Sequence, residues 1–225
     1  MTWFVDFYRS AIGKKAVMAS TGIVLFGFVV GHMAGNLKLY LGAEAINHYG
    51  EWLRELGTPA LPPSGALWIA RIVLLASVVL HIHSATMLTL MNRRAKPIDS
   101  AQIDLQNASY ASRTMRWGGV IVLMFIVYHL LDLTFGVTNP AFKQGEVYAN
   151  IVASFSRWWI AGFYIVANFA LGFHLHHGLW SMFQSLGWNH PKFNKWRREF
   201  ATAFAVFITV GNISFPLSVL LGVVK

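Results

Sequence analysis

The sequence predicts an all-α integral membrane bundle of five transmembrane helices, and three observations carry that prediction. Of the 225 residues, 56% are hydrophobic and only 12% charged, about half the charge density of an ordinary soluble domain. Five apolar stretches each reach the roughly 20 residues needed to cross a hydrocarbon layer. Lysine and arginine gather at alternate ends of successive stretches, as topology signals do.

The first stretch covers residues 14–41, the second 65–91, the third 115–137, the fourth 158–186 and the fifth 200–224. The fourth is long enough to span with tilt. A polar connection ending in Pro59, Pro62 and Pro63 joins the first two stretches, and polar loops join the others. The whole of 1–225 therefore reads as one membrane domain. Residues 1–10 are mixed and aromatic, with no small-residue cleavage site after an apolar core, so no removable signal peptide is expected.

Orientation follows from the basic residues. Arg9, Lys14, Lys15, Arg93, Arg94, Lys96, Arg113, Arg116, Lys192, Lys195, Arg197 and Arg198 fall on one side, against Lys38, Arg54, Arg71, Lys143, Arg157 and Lys225 on the other. Twelve against six places the N-terminus inside and the C-terminus outside. Trp68, Trp117, Trp158, Trp159 and Trp188 lie at predicted helix ends, where interfacial aromatics belong. The net charge of +9 flanks apolar runs and forms no stripe interleaved with aromatics, so it signals topology and not nucleic-acid binding. The chain has no cysteine, which removes disulfides, thiolate metal sites and Cys-ligated iron–sulfur clusters.

Nine histidines are unusual for so apolar a chain. His32 lies in the first stretch, His81 and His83 in the second, His129 in the third, and His174, His176 and His177 in the fourth. Ionisable side chains inside a bilayer are costly and usually face the bundle interior. His32 and His129 each lie about nine residues, roughly 13 Å, from the outer end of their helices. His81 and His174 lie about 15 residues, roughly 23 Å, from the same side. Two layers result, about 10 Å apart in depth, each with one histidine from each of two helices. A porphyrin iron with two axial imidazoles needs that arrangement. With both axial positions filled, electron transfer is the natural role.

Several residues stay open on this reading. His83 is two residues from His81, so it points to nearly the opposite face; it is a lipid-side residue, or the ligand with His81 spare. His176 and His177 raise the same question beside His174. His177 shares part of the His174 face and is placed to bond a haem propionate or a quinone. Asp132, one turn beyond His129, either serves a ligand or proton movement or is an interfacial residue. Arg71 and Arg157, near the outer helix ends, either pair with propionates of the outer haem or snorkel. Gly27, Gly31 and Gly35 form a small-residue stripe that suits close helix packing and a flat ring equally well; Gly172 and Gly178 are ambiguous in the same way.

These segments resemble a known family. Gly31 to Leu37 (GHMAGNL), Leu80 to Ala95 (LHIHSATMLTLMNRRA), Thr114 to Gly136 (TMRWGGVIVLMFIVYHLLDLTFG) and Gly172 to Gly187 (GFHLHHGLWSMFQSLG) are similar, in order, to the four ligand-bearing helices of the dihaem cytochrome b anchor of succinate:quinone oxidoreductases. That family includes fumarate reductases, and the resemblance is to its single-chain, five-helix form. The resemblance implies His32 and His129 as axial ligands of the outer (distal) haem b and His81 and His174 as those of the inner (proximal) one. It also implies a flavoprotein and an iron–sulfur partner on the inner face, with electrons passing through both haems to a quinone. Some relatives carry an acid two positions before the fourth ligand, linked to transmembrane proton movement; Gly172 stands there, so that pathway is not carried over. Other relatives place an acid near the quinone in the first outer loop. Glu51 and Glu55 are the candidates for that role here, with Glu44 third.

The expected function is thus the haem-bearing anchor of a succinate dehydrogenase acting on menaquinone, multi-pass in the inner (cytoplasmic) membrane. No flavin or dicarboxylate site is visible, so succinate oxidation belongs to the complex. Two rivals stand beside it: a b-type subunit of a formate dehydrogenase or hydrogenase, and a membrane protein that handles haem or metal without being an enzyme.

Overall fold

The computed structural model describes residues 3–95, 110–188 and 190–225. Lys96, counted above toward orientation, lies outside the described residues, as does the side chain of Arg113. The described chain is helical, with no strand. A short helix α1 (Trp3–Arg9) precedes α2 (Ala11–Asn36), which tightens into a 3-10 segment at Leu37–Leu41. Then follow α3 (Ala43–Glu55), α4 (Gly65–Arg94), α5 (Tyr110–His129) with a π-helical turn at Leu130–Thr134, α6 (Val147–Phe155), α7 (Trp158–Ser185) and α8 (Pro191–Leu220). Five of these are long and apolar enough to cross a membrane: α2, α4, α5, α7 and α8.

The spanning helices end where local chemistry stops or extends them. Ser10 caps α2 by accepting from the Gly13 amide at 3.0 Å, satisfying one of the orphan donors of a helix start. The third span stops short of residue 137, because a π turn takes over after His129 and Gly136 turns the chain with φ 71°. The fifth begins nine residues before the predicted 200. His190 caps it, accepting from the Lys192 amide at 3.2 Å, and Pro191 sits at the first helical position, where its missing N–H costs nothing. Hydropathy hides this extension, because residues 192–199 are too charged to read as membrane.

The connections expected to be polar loops contain two helices. In α3, Ile46, Tyr49 and Leu53 fall on one face at helical spacing, and Ile46 is buried. In α6, Ile151 and Phe155 are buried. Asn47 ties the two together, its Oδ1 accepting from the Tyr148 amide at 3.0 Å and its Nδ2 donating to Glu146 at 3.2 Å. These helices cover one end of the bundle, called here the capped end. The main hydrophobic core lies there too, built from Met33, Leu39, Ile46, Phe155, Tyr164, Ile208 and Phe215 among others. Along the spans, the outward helix faces carry exposed apolar side chains such as Ile72, Leu75, Val166 and Val206, which lipid solvates. Trp68, Trp117, Trp158, Trp159 and Trp188 are all exposed, and the first four flank the spans at their ends.

Candidate histidine-pair centre

The spanning helices form two antiparallel hairpins. α2 packs along α4, α5 packs along α7, and α8 packs along α7. Among the described residues α2 and α5 share no extensive contact, nor do α4 and α7. The histidines bridge those gaps. The His32 and His129 rings, from α2 and α5, have centroids 5.7 Å apart and planes at 86°. The His81 and His174 rings, from α4 and α7, lie 6.3 Å apart with planes at 64°.

These separations are informative. Two imidazoles on opposite sides of one metal have centroids about 6 Å apart, from two bonds of about 2 Å plus about 1 Å from each nitrogen to its ring centre. No three His, Asp or Glu side chains converge to hold a metal among the described residues. A metal held at either pair would take two imidazole ligands, and a macrocycle such as a porphyrin would fill the remaining positions. The Nδ1 atoms of His129 and His174 are buried without a hydrogen-bond partner. His81 is oriented differently: its Nδ1 lies 3.1 Å from the Met18 carbonyl and 3.3 Å from Thr21 Oγ1. Donation to the carbonyl requires a proton on Nδ1, which leaves the Nε2 lone pair free for a ligand. The residues present fit a bis-imidazole haem at each level.

Glycines make room beside the rings. A Cβ at Gly22 would lie 3.6 Å from His81 Cε1, and one at Gly119 3.6 Å from His174 Cε1. The match reflects a repeat. Gly22, Phe28 and His32 on α2 recur at the same spacing as Gly119, Phe125 and His129 on α5, and each Phe ring packs on its histidine, at 5.3 and 5.8 Å. His81 and His83 on α4 likewise recur as His174 and His176 on α7. Ten residues separate Gly22 from His32 and Gly119 from His129, so the two levels stand about 15 Å apart along the helices, a longer step than depth counting gives. In the glycine stripe of α2, a Cβ at Gly27 or Gly31 would meet nothing within 4 Å, whereas Gly35 admits the Tyr49 ring. Gly172 packs against Thr209 of α8 and so serves helix contact.

The other singled-out residues spread around these pairs. His83 Nδ1 is 2.8 Å from the Tyr8 hydroxyl. His176 and His177 are half-buried on α7 and make no side-chain hydrogen bond among the described residues. Arg71 lies over the Trp68 ring at 4.9 Å, on the exposed surface. Arg157 is engaged elsewhere than at a histidine pair: Nη2 meets Asp132 at 3.0 Å and Nη1 donates to the Thr138 carbonyl at 2.8 Å. Asp132 is wholly buried on the π turn. It also accepts from Tyr164 at 3.0 Å, from Thr138 at 3.4 Å and from Ser154. Glu44, Glu51 and Glu55 are exposed on α3, and Glu51 comes within 3.9 Å of His48 Nδ1.

A cavity of about 300 Å³ opens at the capped end, lined by Lys38, Ala45, His48, Tyr49 and Trp52. Tyr49 and Trp52 stack with centroids 5.8 Å apart. Tyr49 lies against Gly35, less than one turn from His32. None of the three glutamates lines the cavity; the basic and phenolic groups do.

The family described as succinate dehydrogenase/fumarate reductase transmembrane subunit matches residues 89–213, more than half of the chain, including His129 and His174. The chain belongs to that family. It is accordingly a multi-pass membrane subunit of a succinate dehydrogenase or fumarate reductase complex. No curated protein and no solved structure gives a match to it. The first hairpin, with His32 and His81, lies ahead of the matched segment except for the last six residues of α4. The Gly–Phe–His and His-x-His repeats relate it to the second hairpin.

Proposed function

We propose that this subunit carries two bis-histidine haems b, His32 with His129 and His81 with His174, and passes electrons from an iron–sulfur partner to menaquinone. The observation that carries the proposal is the stacking of two depth-separated histidine pairs, each shared between the two hairpins. When bound, such haems supply one-electron transfer, with no open axial site for oxygen. The chain's own residues orient the ligands: Met18 and Thr21 fix the His81 ring, and Phe28 and Phe125 pack on His32 and His129. The twelve-to-six distribution of basic residues supports the amino-terminal end facing inward, toward the flavoprotein and iron–sulfur subunits.

The quinone site in this reading is the capped-end cavity, close to His32. Tyr49 and Trp52 give it an aromatic wall for a flat ring. Lys38, His48 and Tyr49 supply N–H and O–H donors for the two carbonyl oxygens. Reduction to the quinol takes two electrons and two protons. His48, with exposed Glu51 beside it, is placed to draw those protons from water. Glu55 stands apart from the cavity, and Asp132 is saturated by its own donors.

A pyridine haemochrome assay with reduced spectra, on the purified complex, tests the proposal. Two haem b per anchor chain, both low-spin, are expected; none or one per chain overturns it.

A further inference from the structure

Lys14 is a buried cation with no counter-charge among the described residues. It lies in the first turn of α2 and is only 4% exposed. Its ammonium rests 3.4 Å from the centre of the Tyr8 ring, and among the described residues no carboxylate comes within 4 Å of it. A cation–π contact offsets only part of the cost of taking an ammonium out of water. The spot suits an anionic oxygen group.

Its place in the fold says which one. Lys14, Met18 and Gly22 follow one another at four-residue intervals, so they line one face of α2. That face meets His81: the Met18 carbonyl takes its Nδ1 hydrogen bond and Gly22 faces its ring edge. Lys14 is one turn, about 6 Å, nearer the amino-terminal end. From α4, His83 reaches the same spot and bonds the Tyr8 hydroxyl at 2.8 Å. A buried ammonium, a phenol and an imidazole thus gather one turn from the His81–His174 pair.

We infer that Lys14, flanked by Tyr8 and His83, is the subsite for a carboxylate of the prosthetic group held by His81 and His174. This rests on the haem reading above, since a haem carries two propionate carboxylates on its edge. Neither Lys14 nor Tyr8 stands out in the sequence, where Lys14 counts only as a topology signal.

The test is a redox titration of the intact complex carrying Lys14→Met, with Lys14→Arg as the charge-retaining control. Losing the cation favours the ferric state. Lys14→Met is expected to move one of the two haem midpoints to more negative potential and leave the other in place, and Lys14→Arg to restore it. The displaced component should persist in a His129→Ala background and be absent in a His174→Ala one. Should Lys14→Met fail to assemble, Tyr8→Phe is expected to shift the same haem by a smaller amount. A wild-type complex without two haems would sink the haem reading itself. Two haems with both midpoints unmoved by Lys14→Met and Tyr8→Phe, or moved equally, would overturn the subsite alone. So would unmoved midpoints with a drop in phospholipid phosphorus per complex, which would assign Lys14 to a lipid headgroup.

Discussion

Tyr164 donates its hydroxyl to the Asp132 carboxylate at 3.0 Å, while its ring meets the His129 imidazole with centroids 6.0 Å apart. One side chain thus links a buried ion pair to a candidate axial ligand. Asp132 and Arg157 stand 25 residues apart and come from different helix ends. Their ion pair locks the π turn of α5 to the start of α7.

Breaking that ion pair should be costly. Asp132→Ala leaves the Arg157 guanidinium partly buried and unpaired, a defect of about 3–5 kcal/mol in comparable sites. Tyr164→Phe removes one hydrogen bond and should cost about 1 kcal/mol. Unfolding midpoints in detergent, measured side by side, should rank wild type above Tyr164→Phe and Tyr164→Phe well above Asp132→Ala. Equal midpoints for all three would show that the network contributes nothing.

Replacing single histidines should separate the two levels. His32→Ala and His129→Ala should each leave one haem with the same spectrum, and His81→Ala and His174→Ala should each leave the other. His83→Ala should retain both, because His83 faces Tyr8. Loss of a haem in His83→Ala, with retention in His81→Ala, would exchange the two roles.

The repeat makes a paired prediction about glycines. An added Cβ at Gly22 or Gly119 sits at ordinary van der Waals distance from a histidine ring, so Gly22→Ala and Gly119→Ala should keep both haems. Leucine at either position drives several more atoms toward the imidazole. Both leucine variants should lose the same haem, the one at the His81–His174 level, as read by haem content per chain. Loss of different haems would contradict the shared geometry.

At the capped-end cavity, Tyr49→Phe and His48→Ala remove donors facing the space. Each should lower succinate-driven quinone reduction about tenfold or more, while electron delivery from the same complex to a soluble dye stays unchanged. Glu55→Gln should leave both rates as they are. A parallel fall in quinone and dye reduction would place the defect before the quinone.

Much of this architecture was legible because membranes impose blunt rules. Apolar runs mark the five spans, and the cost of burying imidazole draws attention to the seven histidines within them; among those, only the family resemblance chooses His32, His81, His129 and His174. Short interfacial helices leave no such mark: α3 and α6 have amphipathic faces of three or four turns at most, which resemble polar loops at low resolution. The start of α8 was hidden because Lys192, Lys195, Arg197 and Arg198 are helical but not apolar. Arg157 read as a propionate partner or a snorkelling residue because its true partner, Asp132, is adjacent only in space. His83 required the position of α1, which sequence spacing alone does not fix. The repeat of Gly, Phe and His between α2 and α5 was present in the letters, and its meaning emerged once both glycines were found against imidazole edges.

Each histidine pair draws one member from each hairpin, and this sets an order of events during synthesis. When α2 and α4 have left the ribosome, the nascent chain holds two half-sites and cannot complete either. α5 supplies the second half of one, and only the arrival of α7 finishes the other. Whatever the pairs clasp must be loaded late, after most of the polypeptide is threaded, and a chain terminated between α4 and α5 would be born with histidines and nothing to share them with.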